Sequence, residues 1–145
     1  MDLTKFEVLL FVHILAAIVT LGPVSLATGA FPRFATVDGL PLARIFHKIT
    51  ISGGIGSVVI PIFGLLAANE LDYMDQGWVQ ASVGIFVGML FALFVYIIPE
   101  QRRVIRSLER LDAGDLPGVK LLQAISGLYS LGWAVILYFM VVKPF

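Results

Sequence analysis

The chain has 145 residues with ten basic against ten acidic side chains, a formal net charge of zero, and nothing in that balance calls for nucleic acid as a partner. It is 59% hydrophobic and 14% charged, where soluble domains carry about 25% charged residues, so the solvent it suits is lipid. It has no cysteine, which excludes a disulfide framework, a thiolate zinc site, an iron–sulfur cluster and cysteine catalysis.

A membrane-crossing helix needs about 20 mostly apolar residues. Four stretches qualify, roughly 6–29, 45–68, 78–99 and 118–142. The expected architecture is therefore an all-α, integral membrane four-helix bundle with short loops, one transmembrane domain over residues 1–145. The first apolar run exceeds the length of a signal-peptide core, and Lys5 is balanced by Asp2 and Glu7, so it reads as a retained span. Eight of the ten basic residues fall between spans one and two or in the first turn of span two (Arg33, Arg44, Lys48), or between spans three and four or in the first turn of span four (Arg102, Arg103, Arg106, Arg110, Lys120). The connection between spans two and three holds Glu70, Asp72 and Asp75 and no base. The positive-inside rule then places both termini outside.

Span one carries His13, about seven residues or about 10 Å below the outer end of its helix. A polar group at that depth needs a partner or a cavity. An imidazole there can ligate haem iron, hydrogen-bond a quinone carbonyl or relay protons; the plainer alternative is a hydrogen bond to a neighbouring helix. Leu9, Ala16, Ala17 and Thr20 share its face. Trp133 and Tyr138 on span four fall at comparable depth. The candidate cofactor-binding set is thus His13, Thr20, Trp133 and Tyr138, with His13 a metal ligand only if the metal is haem iron. Pro23 in span one and Pro61 in span two each remove a backbone donor and are expected to kink their helices.

Span two opens after Asp38-Gly39-Leu40-Pro41, a helix start with the aspartate as its cap. His47 falls near the inner surface, about 15–20 Å along the normal from His13, too far for both to ligate one iron. It is expected to contact lipid headgroups. Small residues recur in the later spans: Gly53 and Gly56 in span two, Gly84 and Gly88 in span three, Gly127 in span four. They are read as helix-packing positions, within one bundle or across a dimer.

Beyond span three, Val104, Ile105, Leu108 and Leu111 recur at helical spacing among Arg102, Arg103, Arg106 and Arg110. This predicts a cytoplasmic amphipathic extension of the third helix along the headgroups, its arginines contacting lipid or a partner. A stop at Asp112-Ala113-Gly114 and a start at Gly114-Asp115-Leu116-Pro117 follow. The second start echoes the one at Asp38, which raises the question of a duplicated hairpin. No catalytic constellation, phosphate loop or paired metal ligands occur.

Val12-His13-Ile14, Phe31-Pro32-Arg33-Phe34, Gly77-Trp78, the Arg102-Arg103 helix and the closing Phe139-Met140-Val141-Val142-Lys143-Pro144 together resemble a small bacterial family of predicted integral membrane proteins, a domain of unknown function. More distantly the chain looks like the four-helix cores of the copper-resistance protein CopD and the protoporphyrinogen oxidase HemJ. Those families carry a first-span histidine corresponding to His13, so the resemblance implies haem b as a candidate cofactor and the bacterial inner (plasma) membrane as the location. Three functions are therefore in play. The first is a non-catalytic ligand-binding protein or accessory subunit, with the bilayer, a homodimer or a larger membrane complex as partner. The second is a haem-b redox protein. The third is a small copper or solute transporter, although Met1, Met74, Met89 and Met140 are too scattered for a thioether path.

Overall fold

A computed structural model describes residues 3–110 and 118–145. Four helical segments, Leu3–Phe34, Leu40–Glu70, Gly77–Glu109 and Val119–Val142, are each long and apolar enough to cross a membrane. Among the described residues there is no strand. The chain is an all-α, multi-pass membrane bundle. The predicted stop and start over residues 112–117, and with them the echo between the two loops, lie outside the described residues.

The first three spans overrun the apolar stretches that announced them. A helix ends where its backbone loses partners, not where hydropathy drops, so α1 (Leu3–Ala30) continues through Pro23 and closes in a 3-10 turn, Phe31–Phe34. Span two is two helices, α2 (Leu40–Gly56) and α3 (Val59–Glu70). The break has a covalent cause at Pro61, which cannot donate to the Ser57 carbonyl one turn back. That carbonyl accepts from Ile60 N–H instead, at 3.1 Å, and Val58 N–H turns to Ile55 O at 3.3 Å. The Gly54 carbonyl, thereby released, takes the buried Ser57 hydroxyl at 2.7 Å. At the start of α2, Asp38 makes no side-chain cap. Thr36 Oγ1 accepts from Gly39 N–H at 3.0 Å in its place.

Span three runs from α4 (Gly77–Phe91) through a wider π-helical turn, Ala92–Ile97, into α5 (Ile98–Glu109). The turn sits immediately before Pro99, where the helix must absorb a missing donor and a ring beside the preceding carbonyls. Span four is one helix, α6 (Val119–Val142), entered through Gly118 at φ 100°. That left-handed backbone is one a glycine adopts without strain.

α1 packs along both α2 and α3, α4 along α6, and α2 against α5. Gly53 and Gly56 serve the first of these contacts: an added Cβ at Gly53 would collide with Val24 Cγ2, and one at Gly56 would lie 3.2 Å from Thr20 Cγ2. Gly84, Gly88 and Gly127 do not act this way, since an added Cβ at any of them meets nothing within 4 Å. They face outward. Gly132, another small residue of span four expected to pack, is the one that lets α6 approach α4, with Met89 Sδ 2.6 Å from its Cβ position.

The amphipathic α5 differs from expectation in where its apolar face goes. Val104, Ile105 and Leu108 are buried within the protein and not in headgroups. Arg102, Arg103, Arg106 and Arg110 are all exposed. Arg103 pairs with Glu100, and Arg44 on α2 holds Glu109 at 2.8 Å. The helix is therefore a continuation of span three that docks on α2.

Candidate functional site

α3 and α4 follow one another in the chain but touch little. The helix pair α1/α3 and the pair α4/α6 consequently part at the end of the bundle that carries both termini. The gap is a cavity of about 620 Å³ with walls from all four spans. Its lining is almost wholly apolar, and His13, Ser82, Trp133, Tyr73, Trp78 and Lys143 supply the polar atoms.

His13 is only 8% exposed. Its Nδ1 lies 2.8 Å from the Ile60 carbonyl oxygen. A carbonyl can only accept, so Nδ1 carries a proton and, in the neutral ring, Nε2 the lone pair. Ile60 is the residue before Pro61, at the start of α3. The same stretch of span two that is broken by proline thus presents the acceptor that orients the imidazole. Gly64, one turn on, makes room for the ring: a Cβ there would lie 2.7 Å from His13 Cε1 and 2.8 Å from Nδ1.

The mouth of the cavity is aromatic and cationic. Tyr73 and Trp78 meet edge to face at 5.9 Å between ring centroids. Lys143 Nζ stands 5.0 Å from the Tyr73 centroid and 5.7 Å from that of Trp78. Lys143 ends α6 in the left-handed region, φ 49°, a strained state for a side chain of this size that its surroundings must hold in place. The following residues fold back over the start of α4. Trp78 N–H donates to the Phe145 carbonyl at 3.1 Å, and Phe145 packs on Gly77, where a Cβ would lie 2.6 Å from the ring.

Beneath the cavity, Ser126 Oγ, Tyr129 Oη and Trp133 Nε1 are buried without a hydrogen-bond partner among the described residues. They stack on one face of α6, at i, i+3 and i+7. Trp133 packs edge-on against Phe86 at 5.7 Å and Tyr129 at 6.4 Å.

Of the residues singled out in sequence, His13 and Trp133 line one cavity. Tyr138 and Thr20 do not. Tyr138 is 55% exposed, because five residues beyond Trp133 turn the helix by about 140° away from it. Depth matched and azimuth did not. Thr20 Oγ1 donates to Ala16 O at 2.7 Å and its methyl faces Gly56, so it serves the α1–α2 contact. His47, expected at headgroups, is half-buried in the fold, and its Nδ1 lies 3.0 Å from Gln101 Oε1. Gln101 is fully buried and its Nε2 reaches Thr50 Oγ1 at 3.4 Å. This polar link ties α2 to α5 at the arginine-rich end. Sequence reasoning passed over Gln101, although its spacing to Val104, Ile105 and Leu108 puts it on their face. It also passed over Lys143, Tyr73 and Trp78, whose meeting depends on the fold of the tail and gives no sequence signal. No family model matches this chain, and neither a curated protein nor a solved structure matches it.

Proposed function

We propose that this is a ligand-binding protein of the membrane interior, serving alone or as an accessory subunit of a larger complex, with its ligand in the cavity beside His13. The observation that carries the reading is the cavity itself: about 620 Å³, walled by every span, and within the roughly 300–1,000 Å³ of small-molecule sites. A bundle of four apolar helices gains most by close packing, so a gap of this size at one end of it is unused dispersion energy unless something fills it. The basic loops suit a bacterial inner membrane with the arginine-rich end inward. Native mass spectrometry from mild detergent tests the proposal. Wild-type protein should release a small molecule that Ala17→Phe and Val83→Phe, which fill the cavity, no longer retain. Equal retention by the filled variants would refute it.

One observation favours a second reading, haem b on His13. An Nδ1–H bonded to a backbone carbonyl is the arrangement that orients metal-bound imidazoles, and it leaves Nε2 as the available ligand. His13 would hold the iron and Lys143 would neutralise a propionate; the haem would supply one-electron chemistry. A Soret band lost in His13→Ala supports this reading. Protein that stays colourless after haem addition ends it. The copper reading gains nothing comparable, since no cluster of three or more His, Asp or Glu residues able to hold a metal occurs among the described residues.

A further inference from the structure

We propose that the cavity takes a single-chain lipid acid, an acyl chain ending in a carboxylate, with the head at Lys143 and the chain running inward toward Trp133. This rests on the ligand-binding reading above and names the ligand's class. Three features carry it. The first is shape. The cavity follows α6 from Lys143 to Trp133 and α1 from Phe6 to Ile18, which makes it about 15–18 Å long at 1.5 Å per residue. A slot so long between helices suits a chain better than a compact solute. The second is polarity. The walls are apolar along their length, and among the described residues Lys143 is the only charged one lining them.

The third is the state of that charge. Lys143 makes no ion pair among the described residues. Glu70, the acid at the same end of α3, is taken by Lys5. Lys143 instead lies over two aromatic faces, which hold an ammonium in place without neutralising it. A single cation at the mouth of an apolar slot, in no ion pair among the described residues, matches a monoanionic head on a single chain. Lysine donates three hydrogen bonds, enough for both carboxylate oxygens.

The protein carries its own reporter. Trp78 and Trp133 are its only tryptophans, and both line the cavity. A stearic acid brominated at mid-chain quenches tryptophan emission on contact, and the matching brominated alcohol lacks the charge. Both are titrated into full-length protein in non-ionic detergent at mildly alkaline pH. Wild type should show saturable quenching, at least tenfold tighter for the acid than for the alcohol. Lys143→Gln should abolish that preference by weakening the acid alone, and Ala17→Phe should remove the saturable phase for both probes. Far-ultraviolet circular dichroism and thermal melts confirm that each variant is folded.

Acid and alcohol binding alike, or Lys143→Gln leaving the acid's affinity unchanged, overturns the lipid-acid assignment; if Ala17→Phe still blocks both probes, the cavity reading stands. Quenching that rises linearly with probe and is indifferent to Ala17→Phe comes from the micelle and overturns both. A brominated lysophosphatidate that outcompetes the acid overturns the carboxylate in favour of a phosphate head.

Discussion

Gly64→Ala is the sharpest probe of how His13 is held. The new Cβ would lie 2.7 Å from His13 Cε1 and 2.8 Å from Nδ1, closer than van der Waals contact allows. The ring cannot swing aside freely, because Nδ1 is bonded to the Ile60 carbonyl at 2.8 Å. The substitution must therefore both strain the packing of α3 on α1 and break that bond. Overpacking of this kind costs about 1–3 kcal/mol, and a lost interhelical hydrogen bond in a membrane protein about 0.6–1.7 kcal/mol. A loss of about 2–4 kcal/mol is expected for the single variant. Removing the ring removes the collision, so in a His13→Ala background the same change should cost under about 0.5 kcal/mol. The four proteins are compared by equilibrium unfolding in mixed micelles, followed by tryptophan emission. Additive costs, with no coupling of at least about 1.5 kcal/mol, would show that the imidazole does not rest on Gly64.

Four further outcomes follow from particular contacts. Tyr129→Phe should change stability by no more than about 1 kcal/mol, because the buried hydroxyl makes no hydrogen bond of good geometry among the described residues; a loss above about 1 kcal/mol in the same unfolding assay would reveal one. Gln101→Ala should destabilise by about 2–3 kcal/mol, since it empties a fully buried site and strips His47 Nδ1 of its partner. Arg44→Ala should cost no more than about 0.5 kcal/mol, as both partners of the Arg44–Glu109 pair are well exposed, at 50% and 43%. Gly84→Leu and Gly88→Leu should leave the folded monomer within about 0.5 kcal/mol of wild type, as open space surrounds both positions; dissociation of a cross-linkable dimer in these variants alone would assign the face to a partner copy.

Fold class and the number of spans were legible from hydropathy, because a bilayer of fixed thickness sets the length of every crossing element and forces the backbone to satisfy itself. The same holds for His13, whose depth alone marked it as a residue needing a partner. Helix ends were less legible. Apolar composition stops where the hydrocarbon stops, while α1 and α5 run on because their backbone bonds and buried faces continue. The glycines divide instructively. Gly53 and Gly84 look alike as small residues in apolar runs, yet one admits Val24 and the other faces open space. Spacing within one helix carries no information about which neighbour stands opposite.

By itself, then, the sequence determined a four-span bundle, its charge asymmetry and one deep histidine, since each is a property of a single segment in a slab of lipid. Only the tertiary structure decided what His13 faces. Pro61 breaks span two where Ile60 must present its carbonyl, Gly64 receives the ring, and the parting of α3 from α4 opens the cavity beside it. It also set Lys143 over Tyr73 and Trp78 at the mouth, and it turned Tyr138 away. These are relations of azimuth and tilt between helices, which arise from side-chain packing across segments distant in the chain.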